Sequence, residues 1–162
     1  MNYEQKIYEA RNIADIFEIV KELVKRYLKE DHAGILVGVS DLGTHQQGFI
    51  GAYYSIAANM IIINKKPLQM IRESHPMLYN PYLFHVVLHE YVHAIGSFDE
   101  AQTRTLVKEM SMRYFGENNV ITQFATNIEK FLPYLTAPTA MPEDISIEFV
   151  KGIDRTNINY IG

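Results

Sequence analysis

The sequence predicts an α+β domain in which a helix comes first, a small sheet follows, and the second half is helical. Apolar residues recur at three- and four-residue steps over residues 1–30, β-branched and aromatic residues cluster over 35–64, and helical patterns return after residue 80. Of the 162 residues, 48% are hydrophobic and 21% are charged. This length and composition predict a single domain over 1–162.

Residues 1–30 predict one long amphipathic helix whose apolar stripe backs a sheet. Gly34 ends that pattern, and 35–64 then predict a small mixed sheet of about three strands, the last of them at 60–64. The stripe of the first helix contains Ile13, Ile16, Phe17, Val20, Leu23, Val24, Tyr27 and Leu28.

Asn80 followed by Pro81 predicts the N-cap and first turn of a helix over 80–96, which Gly96 ends. Further helices are expected over 97–135, where Ser97 and Glu100 have the spacing of a capping box. The tail, 136–162, is expected to be mostly irregular. The apolar side chains of 145–162 are numerous enough to occupy a groove of the domain and inhibit it.

Net charge and composition limit the classes of binding partner and the cellular compartment that we expect. The formal net charge is -4, so the basic surface typical of nucleic-acid-binding proteins is not expected. The chain has no cysteine, which excludes disulfides and thiolate ligands and suits a reducing compartment. The N-terminus shows no signal peptide, and no apolar run approaches the roughly 18 residues that span a bilayer. We therefore expect a cytoplasmic protein without membrane contact; its oligomeric state is not indicated.

The motif H-E-x-x-H stands at residues 89–93, within the predicted helix. Positions i and i+4 of a helix lie one turn apart and differ by about 40° in direction. Both imidazoles, His89 and His93, can therefore bind one Zn²⁺ ion at roughly 2.0–2.1 Å. Glu90 lies beside them, where a carboxylate can act as general base toward a zinc-activated water.

With Gly96 and Asp99 the segment extends to H-E-x-x-H-x-x-G-x-x-D. It resembles the zinc signature of metzincin-type peptidases, in particular the snapalysin-like branch. That resemblance implies a zincin-like fold in which His89, His93 and Asp99 bind zinc and Glu90 is the base. It also implies that an edge strand preceding the active-site helix, here at 60–64, binds extended peptides.

Two features of these families do not carry over directly. The snapalysin-like enzymes are secreted, whereas this chain shows no export signal. Metzincins also place a methionine in a tight turn beneath the metal, for which Met141 is the candidate.

The third ligand has an alternative. The chain also resembles compact zincins that use a glutamate on the next helix, which nominates Glu100 or, second, Glu109. The next helix is expected over 98–115, and on it Asp99 lies about 35° from the centre of the apolar stripe and Glu100 about 65° from it. Glu100 also has a structural role available, in the capping box or as the partner of Arg104. We therefore prefer Asp99 and keep Glu100 as the alternative.

The sequence thus predicts a zinc metallopeptidase that acts on peptide or protein substrates. A zinc amidase acting on a small molecule is an alternative, because the motif specifies water activation and not the substrate. A second alternative is a non-catalytic zincin-fold protein. Its metal is lost, or is structural and has a fourth protein ligand such as His85 or Glu109. The residue that stabilises the oxyanion is left open among Tyr53, Tyr54, Tyr134 and Tyr160.

Overall fold

The computed structural model describes residues 2–32, 34–44, 49–96, 98–136, 141–142 and 145–153. Within these ranges the chain has the predicted α+β architecture, with a four-stranded mixed sheet and a helical second half. No helix in them is long and apolar enough to cross a membrane. The seven described helices are α1 (Tyr3–Glu9), α2 (Ile13–Leu28), α3 (Lys65–Ser74), α4 (Tyr79–Gly96), α5 (Glu100–Phe115), α6 (Val120–Thr126) and α7 (Leu132–Leu135).

The prediction of one N-terminal helix is wrong, because the chain breaks between α1 and α2. Asn12 has an extended backbone, and its side chain accepts a hydrogen bond from the backbone N–H of Asp15 at 2.8 Å. It is therefore the N-cap of a new helix. The predicted stripe of α2 is largely buried in a core shared with the sheet and with α4, which it contacts through Phe17 and Tyr91.

The four strands are β1 (Leu36–Ser40), β2 (Ala52–Ser55), β3 (Met60–Asn64) and β4 (Glu148–Phe149), in the order β2-β3-β1-β4. β3 pairs in parallel with β1 and antiparallel with β2, and all five of its residues are buried. The expectation that residues 60–64 form the sheet edge is therefore wrong. Instead, β2 is the edge strand on that side of the described sheet.

The described part of the tail lies along β1, at the opposite edge of the sheet from β2. The Val150 N–H donates to the Val37 carbonyl at 2.9 Å, and the Ser40 hydroxyl donates to the Ile145 carbonyl at 3.3 Å. Gly38 permits this approach, since a Cβ there would lie 2.6 Å from Ile147 Cγ2. Residues 145–150 thus extend the sheet, and the expectation that the tail occupies a groove does not hold for them.

α4 is the central helix, and its span confirms the predicted helix over 80–96. The predicted N-cap role of Asn80 is wrong, because Asn80 lies inside the helix, which follows a 3-10 turn at Pro76–Leu78. The Asn80 amide instead donates to the carbonyls of Ile7 at 2.9 Å and Ala10 at 3.0 Å. It thereby adds a second donor to the Ile7 carbonyl, which also accepts from the Ala10 N–H at 3.3 Å, and satisfies the carbonyl of the C-cap residue Ala10.

Asn64, at the end of β3, fixes the segment that leads into β2. Its buried amide donates to the carbonyls of Gly43 at 3.0 Å and Ile50 at 2.8 Å. Its oxygen accepts from the N–H groups of Leu42 at 3.0 Å and Lys66 at 3.2 Å, the latter at the start of α3. One side chain therefore ties together the sheet, α3 and the wall of the cleft described below.

Candidate metal centre

α4 brings three residues of the predicted motif together. One ligand atom from each of His89, Glu90 and His93 lies within 4.8 Å of the others, and the two imidazole centroids are 4.9 Å apart. This is the i,i+4 geometry that the sequence predicted. The group can hold a metal ion, since neutral imidazole and carboxylate are both common ligands.

The ring of His93 is oriented by two partners on the other side from the centre. Its Nδ1 lies 3.1 Å from the Phe98 carbonyl oxygen and 3.2 Å from the Thr103 hydroxyl. A carbonyl can only accept, so Nδ1 carries the proton and donates to Phe98. In this tautomer Nε2 presents its lone pair to the centre, which is the arrangement of a metal-binding histidine whose other ring nitrogen donates to a carbonyl.

Glu100, at the first position of α5, points its carboxylate at both imidazoles. Oε1 lies 3.0 Å from His89 Nε2, and Oε2 lies 2.8 Å from His93 Nε2. A carboxylate oxygen and an imidazole lone pair are both acceptors, so this approach is stable only with a proton or a cation shared between them. Both imidazoles and one carboxylate thus converge on a site for positive charge.

Asp99 has a different role from the one expected. It is the N-cap of α5, and its carboxylate accepts from the Gln102 N–H at 2.7 Å while the Gln102 side chain accepts from the Asp99 N–H at 3.1 Å. The capping box is therefore Asp99–Gln102 and not Ser97–Glu100; Ser97 lies outside the described residues. The helical projection that favoured Asp99 was wrong because residue 99 is extended (φ -70°, ψ 173°) and does not follow the helical period.

Glu109, the remaining candidate, is exposed on α5. Nine helical residues separate it from Glu100, which is roughly 13 Å along the axis and half a turn around it. It therefore faces away from the two imidazoles. Among the three acidic candidates, the geometry favours Glu100 as the third ligand.

The electrostatics of the centre follow from its burial. Glu90 is 8% exposed, and burial raises its pKa to about 8, with the negative charge of Glu100 acting in the same direction. Burial lowers the pKa of His89, which keeps its imidazole neutral. Burial raises the pKa of Glu100, but the groups that face it, first His93 and then His89 and Arg104, lower it by more, so the net pKa lies below the ordinary value.

An open cleft of about 490 Å³ runs past the centre. One wall is formed by residues 49–52, which lead into the edge strand β2, and the other by α5 and α6. The floor is α4. The lining of the whole cleft is apolar at Val86, Val107, Phe124 and Ile128, and charged at Glu90, Glu100, Arg104 and Glu129.

His85 lines this cleft one turn before His89 but is not part of the group that can hold a metal. Their ring centroids are 6.4 Å apart, and the His85 ring stacks on Phe124 at 6.3 Å. Burial lowers the pKa of His85 to about 3, and His89 acts in the same direction, so His85 is neutral. A fourth ligand from His85 is not favoured by this arrangement.

The tyrosines proposed for the oxyanion are elsewhere. Tyr53, Tyr54 and Tyr134 do not line the described cleft, and Tyr160 lies outside the described residues. The candidate metzincin methionine, Met141, is 77% exposed, so it does not pack beneath the centre. Sequence reasoning had treated Arg104 only as an ion-pair partner of Glu100, and that pair is present, with Nε 3.2 Å from Oε1; it did not predict that Arg104 lines the cleft.

Comparisons of the chain with protein-family models, with curated proteins and with solved structures found no match.

Proposed function

We propose that this chain is a zinc-dependent metallopeptidase in which His89, His93 and Glu100 bind the metal and Glu90 is the general base. The observation that carries the proposal is the Glu100 carboxylate, whose two oxygens face the two imidazole nitrogens at 3.0 and 2.8 Å. Two histidines and one glutamate are the protein ligands of a well-known class of catalytic zinc sites. This set supports the compact glutamate-ligand zincins over the metzincin-type alternative.

The donor set fits zinc. His93 is held in the tautomer that frees Nε2, and His89 is kept neutral by burial. Both conditions favour imidazole as a ligand. When bound, a zinc ion supplies Lewis-acid chemistry and lowers the pKa of water to about 7. His89, Glu90 and Glu100 line the cleft, so substrate and water have access to the centre from that side.

Glu90 performs the proton transfers in this proposal. Its carboxylate accepts a proton from the attacking water and returns it to the leaving amine nitrogen. Its position supports this role, because one carboxylate oxygen of Glu90 lies within 4.8 Å of the two imidazole nitrogens, within reach of a water at the centre.

Peptide is the substrate class that the surroundings favour. β2 is the edge of the described sheet on the cleft side, and residues 49–52 of its approach line the cleft. An edge strand presents unpaired backbone groups to which an extended peptide can hydrogen-bond. We therefore propose that β2, and not residues 60–64 as expected, is the strand that binds an extended peptide. A small-molecule amide would not use that edge.

A non-catalytic protein with a structural metal is the rival, and one observation favours it. The Glu90 carboxylate lies within 4.8 Å of the imidazole nitrogens, so it too can coordinate an ion and close the site with a fourth protein ligand. The two functions therefore differ in whether Glu90 touches the metal or the reacting water.

The substitution Glu90→Gln separates them, with Glu109→Gln on the far face of α5 as the matched control. We expect the zinc-loaded chain to cleave a mixture of unstructured peptides and E90Q to lose cleavage by on the order of 10²–10⁴-fold while binding zinc as before. Control E109Q should match the unmodified chain in both measurements. Loss of zinc from E90Q would identify Glu90 as a ligand, and cleavage of small amides but not of peptides would favour the amidase.

A further inference from the structure

Amide hydrolysis requires a group that stabilises the negative charge developing on the carbonyl oxygen. In the tetrahedral transition state this charge is met by preorganised donors, and removing one such donor costs on the order of 10²–10³ in rate. None of the described tyrosines proposed for this role lines the cleft. The donor has to be sought among the side chains that do.

Four described side chains in the cleft lining can donate a hydrogen bond: His85, His89, Arg104 and Thr126. His89 faces Glu100 at the centre, and the Thr126 hydroxyl donates to the Thr122 carbonyl at 3.1 Å. His85 is neutral and stacks on Phe124, so it offers a single N–H donor and no positive charge. Arg104 alone combines several free donors with a permanent positive charge.

We infer that Arg104 binds the carbonyl oxygen of the scissile bond as it becomes an oxyanion. The inference rests on the proposed peptidase function. Arg104 lies one turn after Glu100 on α5, and its Nε is 3.2 Å from Glu100 Oε1. This contact orients the planar guanidinium next to the centre and uses one of its five N–H groups. The other four remain for substrate, since the side chain is 74% exposed.

The distribution of charge in the cleft also favours Arg104 as the group that binds the oxyanion. Glu90, Glu100 and Glu129 are the acidic residues of the described lining, and Arg104 is the permanent cation there. An oxyanion forming in this cleft is therefore attracted toward Arg104 and repelled by the carboxylates. A guanidinium also matches the paired oxygens of a tetrahedral anion, because its N–H groups form a fixed fork.

The rival role is that Arg104 only positions Glu100. The two roles differ in what a substitution changes: a positioning residue affects metal binding and every ligand of the metal, whereas an oxyanion donor affects ligands that mimic the tetrahedral state. A phosphonate peptide presents a tetrahedral anion. A hydroxamate peptide binds the metal through two oxygens in a planar group and does not mimic that geometry.

The experiment compares Arg104→Gln, Arg104→Lys and the exposed control Arg113→Gln on the same helix, each as the full zinc-loaded chain. Calorimetry gives the dissociation constants of a phosphonate peptide and a hydroxamate peptide with the same side chains, and competition with a chelator gives that of zinc. We expect R104Q to weaken phosphonate binding by about 10²-fold and to lower kcat similarly with KM little changed. Zinc and hydroxamate binding should stay within about twofold, and R104K should recover part of the loss because it keeps the charge.

Equal weakening of both inhibitors, or weaker zinc binding by R104Q, would assign Arg104 to positioning Glu100 and overturn the inference. Unchanged phosphonate binding and kcat would overturn it as well. Both outcomes leave the peptidase proposal intact, provided that the unmodified chain cleaves peptides. A zinc-loaded chain that neither cleaves peptides nor binds either inhibitor would instead refute the proposed function, and the inference with it.

Discussion

The two faces of α4 are built for different purposes. One face carries Phe84 and Tyr91, which are fully buried and make edge-to-face contacts with Phe115 of α5 and Phe17 of α2. The other carries His89 and His93, together with buried Glu90, whose pKa is far from its ordinary value. The first face stabilises the fold through apolar area, while the second keeps polar groups at a cost that a bound cation would offset. The apolar packing and the candidate metal centre thus lie on opposite sides of one helix.

The largest effect should come from the apolar face. Replacing Phe84 with Ala removes a fully buried ring and should lower the free energy of unfolding by about 3–5 kcal/mol. Denaturant titration of the metal-free chain measures this. If Phe84→Ala does not fold, Phe84→Leu retains most of the volume and should lose less. Zinc should still increase the stability of the folded variant by as much as before, and loss of that increment would show that the faces are coupled.

Metal addition should act through the other face only. A ligand that binds the folded state alone stabilises it by about 2.7 kcal/mol at a hundred times its dissociation constant. We expect zinc to raise the free energy of unfolding by this amount and a chelator to reverse the change. The variant His93→Ala should lose the increment, because it removes one of the two imidazole ligands. A zinc response that survives in His93→Ala would place the metal elsewhere.

The predictable part of the site was the part set by local geometry. His89 and His93 lie four residues apart on one helix, so their proximity follows from the helical repeat alone. The choice between Asp99 and Glu100 depended on where α5 begins. A shift of one residue converts a helical side chain into a cap, and Asp99, Ser97 and Glu100 all belong to residue types found at helix starts. That boundary is where sequence patterns are least informative.

The fold, too, was predictable only where local sequence patterns determine it. The strands of 35–64 were predicted because their residue types are local signals, but the strand order depends on the parallel pairing of β1 with β3. That pairing joins segments separated by the whole of β2, and no local pattern specifies it. It places β2, and not residues 60–64, at the edge of the described sheet, which is where we propose that substrate binds. The break at Asn12 had a visible signal, an N-cap residue three positions before Asp15, which the continuous apolar stripe obscured.

The finest contrast between stability and chemistry is available from two buried threonines. Thr103 and Thr122 are both fully buried, and the hydroxyl of each makes a polar contact: that of Thr103 lies 3.2 Å from His93 Nδ1, and that of Thr122 donates to the Ser111 carbonyl at 3.1 Å. Valine is nearly the same shape and removes only the hydroxyl. Each substitution should therefore lower the free energy of unfolding by a similar amount, on the order of 1 kcal/mol.

Zinc affinity should distinguish the two variants. Thr103→Val removes a group that orients the His93 ring and should weaken zinc binding by roughly 10-fold, at the low end for an outer-shell partner, because the Phe98 carbonyl still accepts from Nδ1. Thr122→Val contacts no ligand and should leave zinc affinity unchanged. Chelator competition on both proteins measures the difference. If neither substitution changed zinc affinity, the Phe98 carbonyl alone would orient the imidazole. If both substitutions weakened zinc binding equally, zinc affinity would follow global stability. The proposed separation between the two faces of α4 would then fail.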